Sequence, residues 1–205
     1  MFTGLIREMA EVKSFVGSTL TLRAKYRPKI GDSIAINGAC LTVTQLHDDG
    51  FSVELSPESQ KILALENYKN RVHIEPAMAM GDRFEGHIVQ GHVDTIGEIE
   101  RIQKNKNSYD VYVKVDKQFI PYIVPKGSIT IDGVSLTVNE VFNDGFRLTI
   151  IPHTMEETLF SSYKPGSHVN IETDMFARYI EHILTHKQTA NKPSWQEIDK
   201  ISALW

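Results

Sequence analysis

The strongest constraint on this chain is that it writes one stretch twice. GACLTV, from Gly38 to Val43, returns as GVSLTV from Gly133 to Val138, 95 residues later. Laying residues 36–51 over 131–146 gives identity at 8 of 16 positions. Pro57 answers Pro152, and Val72-His73-Ile74-Glu75 answers Val169-Asn170-Ile171-Glu172. Gly4-Leu5-Ile6 answers Gly91-His92-Val93 at an offset of only 87, so the second copy carries eight extra residues between Ile99 and Lys126. A period near 90 is too long for a solenoid and requires a duplicated domain. In a chain of 205 residues that means two units, expected at 1–86 and 87–173, with a helical segment at 174–205. Units of this size bury modest cores and lean on a twin or on other subunits.

The copies differ at a reactive position. Where the first has Cys40, the sole cysteine of the chain, the second has Ser135. Two similar halves that differ at a nucleophile suggest two similar pockets given different work.

Composition narrows the partners. A net charge of −4 and a pI near 6.1 argue against nucleic acid or an anionic membrane surface, either of which wants a basic face. No apolar run approaches the roughly 20 residues of a spanning helix. The Met1-Phe2-Thr3-Gly4 start lacks the basic and apolar regions of a signal peptide. One cysteine forms no internal disulfide, which fits a reducing, cytoplasmic setting.

Each unit reads as about six short strands and one small helix. Phe2–Phe15 alternates loosely up to Gly17-Ser18, Thr19–Ala24 and Ser33–Asn37 alternate as half-buried strands do, and Cys40–Thr44 resumes after a turn at Gly38. Asp48-Asp49-Gly50 predicts a hairpin turn with glycine at positive φ, and Phe51–Leu55 returns. Ser56 caps a short helix over residues 58–65 with Pro57 in its first turn, and Arg71–Glu75 closes the unit. The second unit follows with strands at 92–99, 109–115, 128–132, 135–141, 146–151 and 167–172, its hairpin turn at Asn143-Asp144-Gly145. The extra residues are expected in a loop or helical turn at 118–123. Many short strands without βαβ alternation indicate antiparallel barrels. Asp174 can cap a helix whose stripe is Met175, Tyr179, Ile180, Ile183 and Leu184. Ser194 and Glu197 form a capping box for a last helix bearing Trp195, Ile198, Ile201 and Trp205.

Candidate chemistry stays open on the residues alone. Cys40 is either a small buried hydrophobe or a nucleophile, and the contrast with Ser135 favours the second. His87 and His92 lie five apart, which on a strand sends them to opposite faces, and no further ligands complete a zinc site. His92 matches Leu5 in the first copy, so it is either a proton carrier near pH 7 or a hydrogen-bonded strand histidine. Thr42 and Thr137 suit strands, or a polar uncharged ligand. Asp174 is a helix cap, a carboxylate at the mouth of the second barrel, or both. No phosphate loop or dinucleotide fingerprint is present.

MFTGLI, NGACLTV, GHIVQGHVD, IDGVSLTV and NIETD stand in this order, and over residues 1–185 the chain resembles the riboflavin synthase family. The resemblance implies two tandem six-stranded antiparallel Greek-key β-barrels, a C-terminal α-helix and a homotrimer with active sites between subunits. It implies dismutation of two 6,7-dimethyl-8-ribityllumazine molecules to riboflavin and 5-amino-6-ribitylaminouracil, with no metal or redox cofactor. By position, Cys40, Leu41, Thr42 and Ser33 would line the first-barrel pocket, with Gly4, Leu5 and Ile6 near it. Phe2 would seat the partner ring, and Glu54, Leu55, Ser56, Pro57, Glu58 and Ser59 would hold the ligand's far side. Gly91, His92 and Val93 would bind in the second barrel with Ser135, Leu136, Thr137, Ile150, Ile151, Pro152, His153, Thr154 and Met155. Lys126 would reach a neighbour's ligand. Cys40, His92, Ser135 and Asp174 match the family's proposed catalytic positions. The chain departs from the family pattern at Glu85, where glycine is expected, and at His153, where an acidic residue is common. A non-catalytic lumazine- or flavin-binding protein on the same fold is the main alternative. A flavin-binding barrel of an oxidoreductase is a weaker one, since it would need a nucleotide-binding α/β domain.

Overall fold

In the computed structural model, which describes residues 1–190, the duplication is visible strand by strand. The first copy forms β1 (Glu8–Val16), β2 (Thr19–Arg23), β3 (Ser33–Ile36), β4 (Ala39–His47), β5 (Gly50–Glu54) and β6 (Arg71–Pro76). They close in the order β1-β2-β5-β4-β3-β6. The second copy forms β7 (Thr95–Lys104), β8 (Tyr109–Lys114), β9 (Ser128–Ile131), β10 (Val134–Val141), β11 (Gly145–Ile150) and β12 (His168–Thr173), and these close in the same cyclic order. Every pairing is antiparallel.

Register breaks recur at matched places, between Val12 and Ser14 and between Ile99 and Arg101, then between Val43 and Gln45 and between Val138 and Glu140. Bulges of this kind bend a strand so that a small sheet can close on itself. The inward rows are also matched: Ile34, Ile36, Val43 and Phe51 fill the first barrel, and Ile129, Ile131, Val138 and Phe146 fill the second. All are nearly inaccessible to solvent. Truncating one of the two phenylalanines to alanine costs about 3–5 kcal/mol on general grounds.

Each barrel has a helical lid between its fifth and sixth strands. In the first, α1 (Pro57–Ile62) is capped by Ser56, whose Oγ accepts from Ser59 N at 3.0 Å, and a 3-10 turn follows at Leu65–Asn67. In the second, α2 (Pro152–Glu157) and a 3-10 turn at Leu159–Ser162 stand in the same place. The sequence marks the start of α1 with the Ser56 cap, whereas α2 is expected from the repeat alone, since Ile151 at its cap position offers no side-chain acceptor.

Three expectations need correction. Gly50 and Gly145 are not at positive φ; they open β5 and β11. Glycine is needed there because a Cβ would lie 1.8 Å from Leu22 O at Gly50 and 2.3 Å from Val113 O at Gly145. The eight added residues are split between a longer β7–β8 hairpin and the connection that forms a 3-10 turn at Lys117–Tyr122. Residues 92–94 are not strand, since β7 begins at Thr95.

The barrels meet along a pseudo-twofold axis. Asn37-Gly38 and Asp132-Gly133 make equivalent tight turns with φ of 45° and 82° in each, the pattern of a type I′ hairpin. The two glycines touch, a Cβ on either lying within 2.8 Å of the other's backbone nitrogen. Beside them His73 and its twin Asn170 perform the same task. His73 Nδ1 bonds Asp132 O at 2.8 Å while its Nε2 accepts from Leu159 N at 2.8 Å. Asn170 Nδ2 donates to Asn37 O and its Oδ1 accepts from Ala64 N, both at 2.8 Å. Burial, against the pull of the Asp132 carbonyl and with a smaller push from the charge of Arg71, lowers the His73 pKa to about 4. Asp132, fully enclosed, is pushed up to about 7 by burial even though Tyr163 OH and Asn170 N donate to it.

The final element is α3 (Met175–Ala190), capped by Asp174, whose Oδ1 accepts from Phe176 N at 2.7 Å. It touches the 3-10 turn at Lys117–Tyr122 and leaves Phe176, Tyr179, Ile180, Ile183 and Leu184 more than half exposed. The capping box at Ser194 and the stripe through Trp205 lie outside the described residues. Among the described residues no helix is long and apolar enough to cross a membrane.

Candidate active site

Two extended segments cross at the barrel junction. The N-terminal one pairs with the inter-barrel linker through Phe2 N to Val89 O at 2.8 Å and Val89 N to Phe2 O at 3.1 Å. A buried glutamate grips each. Glu75, at the end of β6, accepts from Thr3 N and Thr3 Oγ1 at 2.8 Å and from Gly4 N at 3.0 Å. Glu172, its twin on β12, accepts from Gln90 N at 2.7 Å, Gly91 N at 2.8 Å and His92 N at 3.0 Å. Burial outweighs those donors in both, so Glu75 is raised above the ordinary carboxylate range and Glu172 is pushed up to about 7.

Each segment then reaches over to the opposite barrel. Ser135 N donates to Gly4 O and Cys40 N donates to Gly91 O, both at 2.8 Å. Only glycine fits at these crossings: φ is +79° and +78°, and a Cβ would stand 2.5 Å from Ser135 Cβ or 2.7 Å from Cys40 Cβ. Packing follows the same exchange, Val93 joining the first barrel's core and Ile6 the second's. This reverses the expected assignment. Gly91, His92 and Val93 belong with Cys40, and Gly4, Leu5 and Ile6 belong with Ser135. An offset matches residues between copies but is silent on which barrel a segment crosses to.

The first pocket, about 210 Å3, is lined by Cys40, Ser56, Glu58, Ser59, Gly91, His92 and Val93 together with Ala39, Ile62 and Leu63. Cys40 is half-buried and His92 is exposed. Strand alternation puts Thr42 on the same outer face as Cys40, and Thr42 stands opposite both Ser33 on β3 and Glu54 on β5. Leu41 and Leu55 point the other way, into the barrel core. Pro57 is exposed at the start of α1. Phe2 is fully buried against Ala35, Val89 and Cys40, so it forms the floor behind the thiol and presents no face for a ring.

The second centre is built around Ser135, whose Oγ lies 2.8 Å from His87 Nδ1. His87 is mostly buried, which lowers its pKa against the opposing pull of Asp174. Ser135 and Thr137 share the outer face of β10. Leu136 is half-buried, Ile150 and Met155 join the core, and Ile151, Pro152 and His153 are exposed with Thr154 partly so. Lys126 is exposed with φ of +64° at the β9 approach. His87 and His92 thus serve different centres and do not converge. Among the described residues no group of three or more His, Cys, Asp or Glu side chains could hold a metal ion.

Sequence reading missed four residues. Glu75 and Glu172 carried a signal, standing at matched places in VHIE and VNIE, but were used only to fix the repeat. In the sequence His87 stands out only as a candidate metal ligand. Arg178, which bonds Gln90 and Asp94 of the linker at 2.8 and 2.6 Å, carried no signal, since nothing local marks which residue on α3 turns toward the linker.

The comparisons agree with this architecture. The lumazine binding domain family matches residues 3–77 and again 90–174. A riboflavin synthase of Photobacterium phosphoreum is 40% identical, over 98% of this chain and 97% of its own. The riboflavin synthase of Bacillus subtilis (strain 168) is 42% identical, over 94% and 93%. Among solved structures, LumP complexed with riboflavin superposes with a TM-score of 0.75 at 21% identity, covering 85% of this chain and 100% of that one. LumP complexed with 6,7-dimethyl-8-(1'-D-ribityl) lumazine gives a TM-score of 0.72 at 22% identity, covering 85% and 99%. At such identity these two structures bear on the fold alone.

Proposed function

This chain belongs to the riboflavin synthase family, and from that premise we propose that its two unlike pockets divide one reaction between two copies of one substrate. Each barrel, residues 1–86 and 87–173, holds one 6,7-dimethyl-8-ribityllumazine. One molecule passes a four-carbon unit to the other, giving riboflavin and 5-amino-6-ribitylaminouracil. The observation that carries the reading is the pairing of matched backbones with unmatched reactive groups: a half-exposed thiol beside His92 in one, a hydroxyl on buried His87 in the other.

The chemistry needs a base and an electrophile. Conjugation acidifies the 7-methyl group of one lumazine, and carbon 7 of the other accepts a nucleophile. The lowered pKa of His87 leaves its imidazole neutral near pH 7, able to take a proton. With its proton on Nε2, Nδ1 accepts from the Ser135 hydroxyl and leaves that oxygen more basic toward a ligand. Cys40, as thiolate or through an activated water, supplies the nucleophile at the first pocket. Two identical rings must meet face to face in opposite senses, a geometry that two pseudo-twofold barrels offer, and such positioning is worth several kcal/mol.

A homotrimer whose active sites join the first barrel of one subunit to the second barrel of the next completes the proposal, in a cytoplasmic setting. The exposed stripe on α3 supports assembly, since several hundred Å2 of apolar surface at roughly 25 cal/mol per Å2 favours burial between copies.

Incubating the purified protein with the lumazine and following riboflavin fluorescence tests the reading. The expected result is one riboflavin and one aminouracil for every two lumazines consumed. Tight binding of lumazine with no riboflavin formed would instead make the chain a binding protein on the same fold.

A further inference from the structure

The linker that carries Gly91 and His92 to the Cys40 pocket is held by Glu172 and also by a cation borne on α3, a hold that among the described residues its N-terminal counterpart lacks. Glu172 grips the backbone of residues 90–92 from within. From outside, the guanidinium of Arg178, in the first turn of α3, forks onto residues flanking the pocket segment. Its Nη1 donates to Asp94 Oδ1 at 2.6 Å and its Nη2 to Gln90 Oε1 at 2.8 Å, with Nη2 also 4.0 Å from Glu172 Oε1. Asp94 is anchored in turn, its Oδ2 accepting from Thr173 N and Thr173 Oγ1 at 2.7 Å. The fork therefore closes a loop from α3 through the linker to β12 and back. On the other lead-in segment, Arg7 occupies the position matching Asp94, and among the described residues no helix-borne cation bonds to it.

We propose that Arg178 is a positioning residue that fixes Gly91–His92 against Cys40, so that the seating of α3 sets the geometry of the first pocket. A forked, charge-assisted pair of this kind specifies direction as well as distance. It makes the helix that offers an apolar face to another copy the same element that shapes the thiol pocket.

The thiol itself reports the answer, because Cys40 is the sole cysteine of the chain. In Arg178→Gln, alkylation of Cys40 by iodoacetamide should run about tenfold faster than in the parent, as the linker lifts away from the thiol. The same variant should raise KM for the lumazine more than it lowers kcat. It should also shift the acid limb of kcat/KM upward by about one pH unit, because Glu172 loses the cation that favours its ionised form. The other groups facing that carboxylate are Asp94, which opposes ionisation, the Gln90 and Gly91 N–H groups, which favour it, and the N–H of His92, which also donates to it. Arg178→Lys keeps the charge and loses the fork, so it should restore the limb but not the slow alkylation. Parent-like alkylation in a folded Arg178→Gln protein would overturn the proposal. If that variant does not fold, Gln90→Ala removes one arm with all charges kept, and unchanged alkylation there overturns it equally. The kinetic arm rests on the riboflavin synthase reading, whereas the alkylation arm does not. A parent that forms no riboflavin would sink that reading while alkylation still decides the role of Arg178.

Discussion

The two barrels differ least where their backbones are held and most where their side chains face a ligand. Glu75 and Glu172, the paired glycine turns, the crossings at Gly4 and Gly91 and the bulges are matched almost atom for atom. Cys40 against Ser135, and exposed His92 against buried His87, are not. Duplication has kept the backbone frame and released the reactive groups each pocket carries. The lesson is that symmetry serves encounter while asymmetry serves chemistry.

The sharpest way to break the comparison is to separate the subunits that, in the proposed assembly, bring one first barrel to another's second. Replacing Ile180 and Ile183 on α3 by aspartate should give a folded monomer with no measurable turnover that still binds lumazine weakly. Sedimentation reads the mass and fluorescence the activity, and a fully active monomer would refute the shared site.

Next in size is making the two centres alike. Cys40→Ser copies the second pocket into the first, and turnover should fall by about 10²-fold while lumazine stays bound. Near-normal turnover would return Cys40 to the role of a packing residue beside Phe2.

A smaller effect sharpens the structural half of the comparison. His73 does with a ring what Asn170 does with an amide, and only the ring titrates. Its folded pKa of about 4 lies below the ordinary 6.5, so the unfolded chain binds the extra proton between those values. Stability from this group is present above pH 6.5 and is lost as pH falls toward 4. His73→Asn should therefore flatten that part of the melting-temperature profile, with little change at pH 7.5. An acid-limb profile identical to the parent's would assign the sensitivity elsewhere.

Much of this was legible in the sequence, for identifiable reasons. Strand alternation and the repeat located the twelve strands because inward rows such as Ile34-Ile36 and Ile129-Ile131 are set by barrel closure. Ser56 and Asp174 announced their helices because a cap acts through a neighbour two or three residues away. The crossing of Gly4 to Ser135 and of Gly91 to Cys40 was not legible, since it joins segments from different copies. Gly50 was misjudged because a turn and a close strand contact both select glycine, and only coordinates tell them apart. Arg178 stayed hidden because its partners lie 84 and 88 residues away.

The most direct test of two unlike half-sites donated by neighbouring subunits is to mix two crippled proteins. Cys40→Ala damages the first pocket only, and Ser135→Ala the second only. After denaturation and joint refolding, the proposed assembly gives mixed trimers with some interfaces where an intact first barrel meets an intact second barrel. Riboflavin formation should then rise well above that of either variant refolded alone. A mixture no more active than its parts would contradict the shared site.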